Sequence, residues 1–132
     1  MLDTNMCIYL MKNQPASVAK RFADCFYGDV AISAITLAEL QYGVECSTEK
    51  KQNHKALVLL LEDIPAMPFD VSAASTYGII RTATREKKRD ALDKLIAAHA
   101  ISLDVILVTN NERDFKAYPG LKLENWTESH RG

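Results

Sequence analysis

No hydrophobic run in this 132-residue chain approaches the roughly 18 residues that a membrane-spanning helix needs, so no transmembrane segment is expected. The first residues show no basic stretch, apolar core and small-residue cleavage site, so no secretory signal is expected either. Cysteine is scarce. Cys7, Cys25 and Cys46 form no CxxC pair and leave one thiol over in any disulfide scheme, which points to a reducing, cytoplasmic setting. Net charge is nearly absent at −1, which argues against binding nucleic acid by bulk positive charge. It leaves room for an acidic metal pocket with a local basic rim. Internal repeats and low-complexity linkers are also missing, so residues 1–132 are expected to form a single domain.

What is present suits a compact protein with an ordinary core, at 48% hydrophobic and 25% charged residues. Met1-Leu2-Asp3 looks like the end of a strand running into a helix from Thr4 to about Asn13. Pro15 suits the opening of a second helix, Ala16 to about Phe26. Gly28-Asp29 reads as a turn and Val30 to Ile35 as a short β-rich run. Helices are expected over Thr36–Cys46, Glu49–Leu61, Ser72–Lys88 and Ala91–Ser102, with a short strand at Ala66–Phe69. Val105–Val108 is the clearest strand, apolar throughout as in a sheet buried on both faces, and Leu121–Leu123 is a last edge strand. Short apolar strands alternating with helices imply an α/β fold with a covered parallel sheet, whose ligands bind beyond the carboxyl ends of the strands.

Acids stand at those positions. Asp3 follows the first strand, Glu39 lies about a turn into the helix after the second, Asp93 starts the helix before the strongest strand, and Asn111 and Asp114 follow that strand. If these ends are neighbours, carboxylates converge, repel and raise one another's pKa. A hard divalent cation such as Mg²⁺ or Mn²⁺ removes that cost, lowers the pKa of a bound water and braces an in-line phosphoryl displacement. Each acid also has a plainer reading. Thr36-x-x-Glu39 fits a capping box, Asp90 and Asp93 suit a helix start, Asp3 suits an N-cap and Asp114 a solvated loop. Periodicity alone does not show that they meet.

The order of these blocks resembles a known family. Met1-Leu-Asp-Thr-Asn5 is similar to the opening of PIN domains, and Ile32–Gly43 resembles the S-x-x-T-x-x-E-L-x-x-G block of VapC toxins. Asp93–Ala100 resembles their D-x-x-I-A-A-H-A helix, and Ile106–Phe115 with Leu123–Trp126 resembles the closing blocks. The resemblance spans nearly the whole chain. It implies a three-layer α/β/α sandwich with a short parallel sheet, and a Mg²⁺- or Mn²⁺-dependent endoribonuclease toxin of a type II toxin–antitoxin pair. It also implies a cognate VapB-type antitoxin, a homodimer and an RNA substrate, tRNA before mRNA. By motif position Asp3, Glu39 and Asp93 carry over as catalytic acids, with Asp3 and Asp93 as metal ligands; the fourth-acid position falls on Asn111, and Asp114, the nearest acid, is the candidate to serve instead. Many PIN domains have an Asp where this chain has Asn111. Only Met1 and Leu2 precede Asp3, so the first strand is expected to be very short, unless the native start lies upstream.

Thr4, Asn5, Thr109 and Asn111 are expected to support the carboxylates, with helix capping as the plainer role for Thr4 and Asn5. Arg85, Lys87, Lys88 and Arg89, with Arg81 and Lys94 nearby, are candidates for the RNA backbone or else a solvated helix end. His99, six residues after Asp93, reads as a packed histidine, and Trp126 as an anchor for the tail. A receiver-type phospho-acceptor is disfavoured, because no Lys follows Val108 until Lys116. A haloacid-dehalogenase-like phosphatase needs Asp-x-Asp, where Asn5 stands second. A catalytically silent PIN-like binding module is the remaining alternative, against which the intact Asp3, Glu39 and Asp93 argue.

Overall fold

The computed structural model describes residues 1–85 and 91–127. The chain runs through α1 (Thr4–Lys12), α2 (Ala16–Ala23), β1 (Ile32–Ser33), α3 (Ala34–Cys46), α4 (Lys50–Asp63), β2 (Ala66–Met67), α5 (Val71–Ala83), α6 (Ala91–Ser102), β3 (Leu107–Val108), α7 (Glu112–Phe115) and β4 (Leu123–Glu124). β1 pairs in parallel with β2, and β3 with β4. Leu2 joins the two halves, pairing in parallel with Ile32 on one side and Val108 on the other. The order across the sheet is therefore β2, β1, Leu2, β3, β4. Leu2 and Asp3 are held by Leu2 N–H to Ala31 C=O at 3.0 Å and Asp3 N–H to Val108 C=O at 3.0 Å.

Alternation along the strands divides the core, because successive side chains point to opposite faces. Leu2, Ile32 and Val108 pack with Met6, Cys7, Val18, Leu40, Val44, Leu57 and Leu60, under α1 to α4. Met1 and Leu107 pack on the other face with Ile80, Ile96, Ala97, Ala100, Phe115 and Tyr118, under α5 to α7. This is the expected α/β/α sandwich. Leu2, Ile32 and Leu107 are fully buried, each contributing about 1.5–3 kcal/mol of hydrophobic stabilisation. Among the described residues no helix is long and apolar enough to cross a membrane.

Several boundaries differ from expectation for physical reasons. α3 begins at Ala34, because the last residue of β1, Ser33, is its N-cap and accepts the Ile35 N–H at 3.0 Å. Thr36 is thus the third helical residue and Glu39 the sixth, so they do not form a capping box. Val105 and Ile106 are not strand residues and are 38% and 42% exposed. The Val105 N–H is spent on Ala100 C=O (3.1 Å), closing α6 around Asp104 in the left-handed region (φ 55°). α2 stops at Ala23, short of Phe26, and the chain turns through Gly28 at φ 97°. α7 was not foreseen; it occupies part of the segment read as a loop.

Candidate functional site

Asp3 emerges from the middle of the sheet at its carboxyl end and is only 5% exposed. It does cap α1, its Oδ1 accepting the Met6 N–H at 2.9 Å. Burial pushes its carboxyl above the ordinary range. The Thr109 hydroxyl and the Met6 and Asn5 amides pull the other way, while the negative charge of Glu39 adds to the rise. Two acids from positions 3 and 39 are therefore electrostatic neighbours. Thr4, on the first turn of α1, binds them into one group by donating to Glu39 Oε1 at 2.7 Å. Thr4 thus holds Glu39, where the sequence suggested that it would orient Asp3. Asn5 serves Asp3 through its backbone, while its side chain reaches Asn110 at 3.4 Å. Thr109 is fully buried beside Asp3 and also accepts the Asn111 N–H at 2.9 Å.

Asp114 and Asn111 are a hydrogen-bonded pair. Asn111 Nδ2 donates to Asp114 Oδ2 at 2.7 Å at the start of α7, just past the carboxyl end of β3. Asp93 is half-buried in the first turn of α6. That helix descends past Ser33 and Phe69, which end or follow β1 and β2, and delivers the chain to the amino end of β3. Its first turn accordingly lies toward the carboxyl side of the sheet, the side of Asp3. Among the described residues no three His, Cys, Asp or Glu side chains are gathered closely enough to enclose a metal ion by themselves.

The donors nevertheless suit a hard, hydrated cation. Magnesium is usually held by one or two carboxylates and retains several waters, and Asp3 with Glu39 supplies a carboxylate pair whose mutual repulsion a cation would relieve. Soft ligands are not available there, since burial pushes the nearby Cys7 thiol far up and away from thiolate. Thr36, three residues before Glu39, is fully buried and its hydroxyl has no hydrogen-bond partner among the described residues. Such an orphan costs about 1–3 kcal/mol unless something supplies a partner. The sequence offered Thr36 as a capping-box residue and as part of the Ile32–Gly43 block, but not as a buried hydroxyl beside the acids.

A cleft of about 460 Å³ opens between α5 and the first turn of α6, the turn that carries Asp93, and is lined by Tyr77, Arg81, Arg85, Ala91 and Lys94. Arg81 stacks 6.0 Å from the Tyr77 ring, and Arg85 is exposed. Lys94 is 5% exposed with its ammonium on Thr84 C=O at 3.0 Å, so it braces the end of α5 and is not a surface cation. Lys87, Lys88 and Arg89, the other basic candidates, lie outside the described residues. Glu39 also lines a groove of about 240 Å³ between α1, α3 and α4, with Ile8, Met11, Leu40, Gly43 and Val44. Trp126 anchors the tail. It is 5% exposed, donates to Glu124 at 2.7 Å, and lies under the Arg21 guanidinium.

The chain matches the PIN-domain family model over residues 1–121. It is 40% identical over 129 residues to the tRNA(fMet)-specific endonuclease VapC of Shigella flexneri, covering 96% of this chain and 97% of that one. It is 41% identical over 129 residues to ribonuclease VapC2 of Rickettsia felis, covering 96% of both. Among solved structures it is similar to VapBC2 of Rickettsia felis bound to a promoter DNA fragment, with a TM-score of 0.88 and 40% identity over 96% of this chain and 97% of that one. DNA-bound VapBC of Salmonella typhimurium is similar at a TM-score of 0.88 and 37% identity, covering 96% of both chains.

Proposed function

The chain belongs to the PIN-domain family, and from that premise we propose that it is a metal-dependent endoribonuclease toxin, restrained by a cognate VapB-type antitoxin. The observation that carries this reading is the pairing of Asp3 with Glu39, two acids 36 residues apart that Thr4 ties together at the carboxyl end of a parallel sheet. Divalent-metal dependence is general among PIN-domain ribonucleases, and Mg²⁺ or Mn²⁺ is the ion that these oxygen donors suit. Asp3 and Asp93 would hold it, with Glu39 beside them. When bound, the ion supplies charge neutralisation and water activation for phosphodiester hydrolysis.

The rest is the work of side chains. Thr109 and the Met6 N–H fix the Asp3 carboxylate, and Thr4 fixes that of Glu39. Asp114, clasped by Asn111, adds a fourth acid beyond β3. Arg81 and Arg85 face the cleft between α5 and the first turn of α6 and take backbone phosphates, which position the strand without reading its sequence. Water attacks the scissile phosphorus in line and the 3′-oxygen departs, leaving a 5′-phosphate and a 3′-hydroxyl. Transfer RNA is the substrate favoured here, because relatives with 37–40% identity are tRNA(fMet)-specific endonucleases. An antitoxin segment lying in the Ile8–Val44 groove would cover Glu39 and so restrain cleavage. The free cysteines fit a cytoplasmic protein.

The test is cleavage of bacterial tRNA by the purified protein with Mg²⁺ or Mn²⁺ and with excess EDTA, beside Asp3→Ala and Asp93→Ala. Discrete fragments that require metal and vanish in both variants are expected. Cleavage that survives EDTA or both substitutions would remove the metal-site assignment.

A further inference from the structure

His99 is 1% exposed, lies six residues beyond Asp93 on α6, and belongs to none of the acid groups described above. Its surroundings are nonetheless fully specified. Nδ1 lies 2.7 Å from Ser33 Oγ. The Phe69 ring meets it edge-on, with centroids 5.4 Å apart and planes at 78°. The ring also hydrogen-bonds to the backbone of Pro68. Proline has no backbone N–H, so that partner is the carbonyl and the imidazole N–H donates to it. Burial favours the neutral ring, pulling its pKa down, and Asp70 is the charged group that faces it. A neutral ring that donates through one nitrogen accepts at the other. Ser33 O–H therefore donates to Nδ1.

The Ser33 oxygen has a second task, since it accepts the Ile35 N–H at 3.0 Å and caps α3. A serine hydroxyl can rotate; with its proton committed to His99, its lone pair stays aimed at that N–H. Ser33 is also paired to Met67 in the sheet, so the point where β1 becomes α3 is fixed from three sides. The first two turns of α3 carry the orphan Thr36 and the acid Glu39. The same hydrogen bond links α3 directly to α6, the helix that carries Asp93.

We propose that His99 is a positioning residue for the acidic site: through the Ser33 hydroxyl it sets the start of α3, and so the place of Glu39 relative to Asp3 and Asp93. The inference rests on the ribonuclease reading of that site. It separates from a merely structural role because the two ring nitrogens have different partners. In His99→Asn the side-chain oxygen falls near the position of Nδ1 and keeps an acceptor for Ser33. In His99→Gln the amide falls near the other nitrogen, keeping the donor for Pro68 and losing the Ser33 acceptor.

The experiment measures kcat and KM for tRNA cleavage and, separately, Mn²⁺ affinity by calorimetry, all below the thermal midpoint of each variant, with Asp3→Ala alongside. His99→Gln is expected to lose about tenfold in kcat with KM little changed and to bind Mn²⁺ more weakly, while His99→Asn stays within about threefold of the parent. Ser33→Ala added to His99→Gln is expected to cost nothing further in kcat, because both break one link. Equal kcat for the Asn and Gln variants, or parental kcat and Mn²⁺ affinity in His99→Gln, would overturn the proposal. If His99→Gln does not fold, parental kcat in Ser33→Ala overturns it and a tenfold loss supports it. Absence of any metal-dependent tRNA cleavage in the parent would instead defeat the underlying ribonuclease reading, and cleavage that persists in Asp3→Ala would defeat the metal-site assignment, both distinguishable from failure of the His99 proposal.

Discussion

Asp3 and Ser33 occupy equivalent places on neighbouring strands. Leu2 is paired with Ile32, each of the two residues comes next in its chain, and each caps the helix that follows. Both are buried, at 5% and 0% exposure. Their surroundings differ in kind. The Ser33 hydroxyl donates to His99, accepts from Ile35, and His99 in turn donates to Pro68, so every polar atom has its complement. Asp3 has donors too, but it also has the charge of Glu39 for a neighbour. One strand end is closed and rigid. The next holds a carboxyl whose charged form is disfavoured both by its burial and by the neighbouring Glu39. A buried polar group that is fully satisfied holds the scaffold, and one left in conflict marks the chemistry.

The sharpest way to break this comparison is to neutralise the conflicted side. Asp3→Asn keeps an oxygen to cap α1 but removes the charge, so it is expected to abolish RNA cleavage while leaving the thermal midpoint of the metal-free protein unchanged or a few degrees higher. A large fall in midpoint would mean that Asp3 is scaffold after all. The converse substitution, Ser33→Ala, is expected to destabilise by about 1–3 kcal/mol in urea unfolding, because it removes a cap and leaves the His99 acceptor unpaired. A stability equal to that of the parent would show that the closed network carries no structural weight.

The smallest effects should be opposite slopes with pH. The His99 pKa is lowered from 6.5, so its stabilisation is present above that value and is lost as pH falls through the lower, folded-state value. The Asp3 pKa is raised from 3.8, so its contribution to the metal-free protein is present below 3.8 and is lost as pH rises through the folded-state value. Thermal midpoints recorded against pH should therefore flatten below 6.5 in His99→Asn and above 3.8 in Asp3→Asn. Parallel profiles for the parent and both variants would contradict the assignment of these slopes.

The layered α/β architecture and the positions of the acids were legible in the sequence, because strand-end carboxylates and alternating apolar blocks leave a linear trace. What was not legible was tertiary. Thr36 and Glu39 fit a capping box by spacing, but the cap came from the last strand residue, which no helix-start rule distinguishes from its neighbour. Val105 and Ile106 read as strand by composition, yet the closing turn of α6 claimed the Val105 N–H. Thr4 stands next to Asp3 in sequence and serves Glu39, 35 residues away. His99 was readable as a packed histidine, whereas its partner lies 66 residues back along the chain. Side-chain pairings across such separations leave no periodicity to detect.

The seat of Leu2 has a consequence for the order in which the fold closes. This residue is clasped between Ile32 and Val108, and Asp3 is hung from the Val108 carbonyl. A chain still short of residue 108 has no second neighbour to offer, and the contact spans most of the chain's length, which makes it slow to form. The acid at the centre of the site therefore takes its place only once Val108 has folded back against the first strand, so the site depends on one of the most distant contacts in the fold.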